Sequence, residues 1–125
     1  MTAEQELHSA LSRIVQLAQS RGLPETEAAS GSEAGELQVR GQCFARILNA
    51  DNLLLECPLE QKAMLLAMSP TIYFETEHYV GQSVVLVHLG RISDEELSLR
   101  LEDSWRHKAP HSLAQTLPLM GQTET

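Results

Sequence analysis

Three segments of the chain carry apolar residues at the three- and four-residue spacing of an amphipathic helix. The first, over residues 2–21, has such a face at Leu7, Ala10, Leu11, Ile14, Val15, Leu17 and Ala18. The second, residues 58–69, starts with a proline suited to a first helical turn and is apolar on more than one side. The third begins with a capping box at Ser93 and Glu96 and ends at Pro110. Its apolar stripe consists of Leu97, Leu101 and Trp105.

Five shorter segments have the alternation or the aliphatic and β-branched content that is typical of strands. They are LQVR (37–40), CFARIL (43–48), LLLEC (53–57), TIYFET (71–76) and SVVLVHL (83–89). The connections among the first three, and between the last two, are short, which indicates antiparallel neighbours. Residues 25–36 hold four Glu, no basic residue and no apolar side chain larger than Ala, so we expect an internal mobile loop there.

The predicted order of elements is α-β-β-β-α-β-β-α, with no internal repeat. Amphipathic helices beside hairpin-joined strands predict an α+β two-layer sandwich, in which about five antiparallel strands carry the helices on one face. At 125 residues the chain is sized for one domain, which we place at residues 1–118 with a short turn near Leu113. Residues 119–125 are expected to form a flexible tail.

The charge and the apolar content limit the classes of partner. A net charge of −8 opposes DNA binding, which depends on Lys and Arg displacing counterions from phosphates. No apolar run approaches the roughly 20 residues that span a bilayer, and the first ten residues are acidic and polar. We therefore expect a cytoplasmic protein without a membrane partner. Cys43 and Cys57 are expected to be small buried hydrophobes rather than a disulfide or a zinc site.

The sequence contains none of the motifs that mark common catalytic sites, such as GxSxG, HExxH, a P-loop or GxGxxG. We therefore predict a non-enzymatic protein with no cofactor. Glu75, Glu77, His78 and His88 are near one another in the predicted strands, but alternation divides them between two faces. No metal site is predicted.

Three segments, in order, resemble the MmcQ/YjbR family of small bacterial proteins. They are VRGQCFAR, HYVGQSVVLVHL and SDEELSLRLEDSWRHKAP, and the resemblance covers roughly residues 5–115. The matching positions are Val39, Arg40, Gly41, Phe44, Ala45, His78, Tyr79, Gly81, Leu86, Val87, Leu89, Trp105, Arg106, Ala109 and Pro110. The chain departs from the family pattern at Gln42, where the family has lysine, and at Gln82 and Ser83, where it has an aromatic residue and proline.

The resemblance implies a two-layer fold like that of frataxin-type and secretion-chaperone-type domains. It also implies DNA binding by a "double wing" arrangement, although a fold does not determine a function.

Alternation along the strands suggests which side chains share the sheet face that the helices leave open. The candidate binding residues on that face are Arg40, Phe44, Arg46, Tyr73 and His88. Arginines beside aromatic rings are the components of a nucleic-acid platform, whereas Glu56 and Glu75 on the same face oppose that use. Arg106 and Lys108, near the end of the third helix, are further candidates for phosphate contact, and they also complement the negative end of that helix.

The leading interpretation is a binding module of the MmcQ/YjbR type, with DNA as the partner that the resemblance implies. The alternative is a protein-interaction or chaperone-like adaptor that uses the open sheet face, or self-association through Met64, Leu65 and Met68 on the second helix. A third interpretation, a protein that sequesters a small molecule, requires an apolar pocket with a few polar groups.

Overall fold

The computed structural model describes residues 3–29 and 35–116. Its elements, in chain order, are α1 (Ala3–Ser20), β1 (Thr26–Ala29), β2 (Glu36–Val39), β3 (Gln42–Asn49), β4 (Asn52–Glu56), α2 (Leu59–Met68), β5 (Tyr73–Phe74), a 3-10 helix (Glu77–Tyr79), β6 (Val84–His88), α3 (Asp94–Lys108) and α4 (His111–Ala114). The predicted tail at 119–125 lies outside the described residues.

Within these ranges the strands form one antiparallel sheet of six strands in the order β1-β2-β3-β4-β6-β5. Two residues, Arg40 and Gly41, join β2 to β3, and both have positive φ (50° and 81°), as the hairpin turn with matching twist requires. β6 lies between β4 and β5, so the chain leaves the sheet through α2 and returns at its edge. The predicted α+β fold with an antiparallel sheet is confirmed.

Strand β1 is the main difference from the predicted elements. The sequence places a mobile loop at residues 25–36, but Thr26–Ala29 pair with β2 along its whole length, from Thr26 opposite Val39 to Ala29 opposite Glu36. The prediction is wrong at these four residues because backbone hydrogen bonds to an existing strand order a segment that has no large apolar side chain. Residues 30–34 of the predicted loop lie outside the described residues.

Helices α1 and α3 cover one face of the sheet and enclose the core. Ala10, Ile14 and Ala18 of α1 are buried one turn apart, as the helical spacing predicts. The stripe of α3 is fully buried, and the indole Nε1 of Trp105 donates to the carbonyl oxygen of Pro24 at 2.9 Å. The sheet contributes Leu37, Val39, Phe44, Ala45, Ile47, Leu53, Leu55, Tyr73, Val85 and Val87, and Leu89 follows directly after β6. No helix in the described part of the chain is both long enough and apolar enough to span a bilayer.

Candidate functional site

The sheet face opposite α1 and α3 is here called the open face. One row of side chains crosses its centre and includes a residue from each of the six strands. The strand register aligns Ala29, Glu36, Arg46, Leu54, Leu86 and Phe74 in that row. Gln38 and Cys43 lie opposite each other on one side of the row, and Asn52 and His88 on the other. The row is charged toward β2 and β3 and apolar toward β6 and β5.

The apolar half of the open face is itself a small core. Leu54, Val84 and Leu86 are buried there, at 5%, 7% and 2% exposure. Their cover consists of half-buried Leu48, Phe74 and Tyr79. The centre of the open face is therefore already occupied by the protein's own side chains.

Phe44 is not on the open face. It is fully buried in the main core, and the prediction that placed it outside is wrong. A β-bulge in the β2–β3 ladder causes the change, because Gln38 pairs with Cys43 while the preceding Leu37 pairs with Ala45. The extra residue in β3 puts Phe44 and Ala45 together on the core side and leaves Cys43 opposite Gln38.

Tyr73 is also in the core, at 1% exposure, so the prediction that it lies on the open face is wrong. Its hydroxyl donates to Oε2 of Glu96 at 2.5 Å, and burial, reinforced by this hydrogen bond, raises the pKa of the phenol. The residue of β5 that lies on the open face is the next one, Phe74. Its ring stacks on His88 at a centroid distance of 4.1 Å, so His88 is where the sequence predicts it.

Arg40 lies in the β2–β3 turn, not on the open face, and the prediction of its position is wrong. Its guanidinium donates to both carboxylate oxygens of Glu25, at 2.8 and 3.0 Å. This hydrogen-bonded pair lowers the pKa of Glu25 and raises that of Arg40. In the turn, the Arg40 guanidinium therefore contacts Glu25, the residue before β1.

Arg46 does lie on the open face and is half exposed, with its Nε 3.4 Å from a carboxylate oxygen of Glu36. Gln38 donates to the other oxygen of that carboxylate at 2.6 Å. Arg46 is thus balanced by an acid on the neighbouring strand, and the two form a neutral pair at the charged end of the row.

The basic candidates of α3 are bound to acids as well. Arg106 contacts Glu102 at 2.9 Å, and the same buried carboxylate accepts from Arg21, the residue after α1, at 2.8 Å. Nζ of Lys108 lies 3.9 Å from Oε1 of Glu56. Arg21 therefore links the end of α1 to α3, while the Arg106–Glu102 pair lies within α3.

The whole complement of cations follows this pattern. All nine Lys and Arg residues lie in the described ranges, and eight of them are within 3.9 Å of a carboxylate oxygen. Arg91 is the exception and donates to the carbonyl oxygen of Thr71 at 3.3 Å. The sequence-predicted basic residues are not brought together into a positive patch.

The outer face of α2 carries three of the four large hydrophobic side chains that are exposed in the described part of the chain. Met68 is 73% exposed, Leu59 51% and Met64 49%, and Ala63 and Ala67 are exposed beside them. We call these five residues the α2 outer face. Leu65, predicted to share this surface, is buried in the core, and the prediction is wrong for that residue.

A family model described as YjbR matches residues 21–107, well over half of the chain. The chain belongs to the YjbR family. The matched region of this YjbR domain contains the whole sheet, α2 and nearly all of α3. It thus includes both the open face and the α2 outer face.

Curated relatives of this YjbR domain are uncharacterised mycobacterial proteins. Rv2570 and MT2646 of Mycobacterium tuberculosis and Mb2600 of Mycobacterium bovis are each 37% identical over 54 residues. The match covers 43% of this chain and 42% of each relative, so it spans less than half the length of the proteins it matches.

Lys62 is a polar residue of this YjbR domain whose role the sequence does not reveal. It is 4% exposed, and its ammonium group donates to the carbonyl oxygens of Tyr79 at 2.8 Å and Gln82 at 2.9 Å. Oε1 of Glu75 lies 2.8 Å away. All three donors of the ammonium group are satisfied, and they fix the connection between β5 and β6. The available signal in the sequence is a single lysine on a helix that is mostly apolar.

Neither cysteine has the environment of a nucleophile. Burial raises the pKa of the Cys57 thiol to about 11, and burial also raises that of Cys43. Both thiols are free and stay protonated at neutral pH. Within the described residues no three His, Cys, Asp or Glu side chains are grouped closely enough to hold a metal ion, and Glu75 is bound to Lys62.

Proposed function

We propose that this YjbR domain is a non-enzymatic binding module whose partner is a protein that presents an apolar helix flanked by basic residues. The observation that supports this most strongly is the α2 outer face, where three large apolar side chains are between 49% and 73% exposed on one short helix. Exposed apolar groups that cluster in this way mark contact sites in soluble proteins.

The geometry of α2 suits a helical partner. Its ten residues rise about 15 Å, and Leu59, Ala63 and Ala67 are spaced at i, i+4 and i+8, beside Met64 and Met68. Small residues between larger ones leave a groove into which a partner's ridge of side chains can pack. Methionine adapts its shape to irregular surfaces, which suits a contact of this kind.

Charge supports a basic partner over a second copy of this chain. The protein carries a net charge of −8, and the one charged residue exposed on α2 is Glu60, beside the α2 outer face. Two copies of the chain would repel each other through their like net charges. The field of an acidic protein would instead raise the association rate of a basic helix and help to orient it.

DNA is the second candidate, since the resemblance of the sequence to its family implies it. Arg46 and the stacked pair of Phe74 and His88 lie on one face of the sheet, and aromatic rings beside arginine can stack on bases. Against this, Arg46 is paired with Glu36, and every other Lys and Arg except Arg91 is within 3.9 Å of a carboxylate oxygen as well.

The proposal is tested by calorimetric titration with a synthetic 18-residue Leu/Lys amphipathic helix and a Leu/Glu helix of the same length. We expect micromolar binding of the basic helix and a loss of at least about tenfold in the M64Q/M68Q variant, which changes no charge. The V80Q variant is the matched control, because Val80 is 62% exposed on the β5–β6 connection and not on α2.

Unchanged affinity in M64Q/M68Q, or equal affinity for the acidic helix, would overturn the proposal. A different outcome is that the basic helix does not bind and the protein forms a concentration-dependent dimer that M64Q/M68Q abolishes. This outcome would show that the partner at the α2 outer face is a second copy of this chain.

A further inference from the structure

We propose that Met64 and Met68 form a peroxide-sensitive modification site, at which oxidation to methionine sulfoxide weakens the binding of a partner to the α2 outer face. The effect on binding rests on the function proposed above, whereas the chemistry at the two side chains does not. Of the four large hydrophobic side chains that are exposed in the described ranges, these two contain sulfur, and they are 49% and 73% exposed. A peroxide can therefore reach both thioethers from solvent.

The two methionines are placed to act as one site. They are four residues apart on α2, which puts their Cβ atoms about 5–6 Å from each other on adjacent turns. The other members of the α2 outer face, Leu59, Ala63 and Ala67, have no polar atom in their side chains. Oxidation of the pair therefore adds two polar groups to a surface that is otherwise apolar.

The reaction needs only a hydroperoxide, of which hydrogen peroxide is the simplest. The Sδ atom of methionine attacks one peroxide oxygen, so an S–O bond forms as the O–O bond breaks. The sulfur is oxidised by two electrons, and the second oxygen leaves as water after it takes the proton of the first. The product carries a sulfinyl oxygen that accepts hydrogen bonds. Burying this acceptor against an apolar partner helix removes it from water without a donor, and binding weakens for that reason.

The cysteine thiols compete poorly for peroxide, because the thiolate and not the thiol is the reactive form. Cys57 is 2% exposed, and burial raises the pKa of its thiol to about 11. Burial also raises the pKa of Cys43, whose Sγ donates to the carbonyl oxygen of Ala45 at 3.7 Å. Within the described residues, the sulfur atoms most open to oxidation are therefore those of Met64 and Met68.

The test compares the wild type with M64L/M68L before and after treatment with hydrogen peroxide. Leucine keeps the α2 outer face apolar at nearly the same volume but has no sulfur. Both proteins retain Met1, Met120 and the two cysteines, so oxidation elsewhere in the chain is matched. Peptide mass spectrometry of the treated wild type should show Met68 oxidised faster than Met64, both within about threefold of the rate in an unfolded peptide.

Two further readouts report the consequence of oxidation. Retention on a hydrophobic interaction column needs no partner, and peroxide should reduce it for the wild type but not for M64L/M68L. Calorimetric titration with the Leu/Lys helix should show a loss of affinity of at least about tenfold for the oxidised wild type and none for treated M64L/M68L. Treatment with the two methionine sulfoxide reductases, one for each sulfoxide epimer, should restore both properties.

The proposal is overturned if Met64 and Met68 are oxidised more than about tenfold more slowly than in an unfolded peptide. It is also overturned if the fully oxidised wild type binds the helix as before, or if peroxide weakens binding equally in M64L/M68L. Failure of the function proposed above looks different, because the untreated wild type then does not bind the helix. In that case the oxidation rates and the column retention still decide whether the two methionines form the modification site.

Discussion

At the scale of single residues, alternation along a strand predicts which face a side chain occupies only while the strand is regular. It places Arg46 and His88 on the open face, as observed, but misplaces Phe44 by the one residue that the bulge inserts. Tyr73 fails because β5 has only two residues, too few to establish a phase. Bulges and ion pairs depend on neighbours distant in sequence, such as Arg21 and Glu102, which are 81 positions apart. A single sequence does not show these contacts.

Replacing Lys62 with Met should cost about 2–4 kcal/mol of unfolding free energy. The substitution keeps the length of the side chain but leaves the Glu75 carboxylate and the carbonyl oxygens of Tyr79 and Gln82 without their donor. Urea unfolding followed by circular dichroism measures the change. K108M is the control, since Lys108 is more exposed and its ammonium group lies as far as 3.9 Å from the Glu56 carboxylate. This substitution should cost less than about 1 kcal/mol of unfolding free energy. Equal losses in the two variants would show that burial of the ion pair is unimportant.

Alkaline pH should destabilise the protein partly through Cys57. Its pKa is raised from 9.0 to about 11 in the folded state, so the folded protein holds the thiol proton more tightly than the unfolded chain does. This contribution to stability is complete below about pH 9 and is lost as the pH rises toward 11, by about 2–3 kcal/mol.

The measurement compares the unfolding free energies of C43A and C43A/C57A at pH 8 and at pH 11. Because both proteins lack the Cys43 thiol, only Cys57 differs between them. The double variant should lose less stability over this interval. An identical loss in both would exclude titration of Cys57 as a cause.

At the scale of elements, the helices and the central strands are predicted to within a few residues because their apolar periodicity is long and their ends are marked. The third predicted helix illustrates what remains hidden. Ser93 accepts from the backbone N–H of Glu96 at 3.1 Å, as the capping box predicts, but the Glu96 carboxylate accepts from Tyr73. A core tyrosine thus takes over one half of the motif. β1 is missed because its stability comes from pairing with β2 and not from its own side chains.

Replacing Ser93 with Ala should lower the unfolding free energy by about 1 kcal/mol, because the backbone N–H of Glu96 loses its acceptor at the start of α3. Thr76→Ala is the matched control. Thr76 occupies the equivalent N-cap position of the 3-10 helix, where its side chain makes no capping hydrogen bond. The T76A variant should therefore lose almost no unfolding free energy. Denaturant unfolding checks both, and a loss in T76A as large as in S93A would contradict the assignment of the cap.

At the scale of the whole molecule, composition indicates an acidic protein, and the structure shows how its few cations are used. Most of them join elements or neutralise nearby acids, as Arg13 does by contacting Asp94 and the carbonyl oxygens of Leu89 and Ile92. The sequence supplies the positions of the basic residues but not their partners. The fold could therefore be predicted with fair accuracy, while the open-face site could not.

The same distribution of charge predicts weak interaction with nucleic acid. Fluorescence anisotropy of a labelled 20-base-pair duplex should show no saturable binding at about 150 mM salt, because few cations are free to displace counterions. R40A and R46A should behave like the wild type. Saturable binding that falls steeply with salt and is lost in these variants would favour DNA as the partner.

The central claim, that the α2 outer face is the binding surface, is tested most directly by labelling the methyl groups of methionine with ¹³C. The chain has four methionines, and two of them, Met64 and Met68, lie on this face. Titration with the Leu/Lys helix should shift the Met64 and Met68 signals along one saturable curve, and M64Q/M68Q should remove the binding that this curve reports. The account is contradicted if the helix binds while both signals stay in place, or if duplex DNA gives the saturable response and the helix does not.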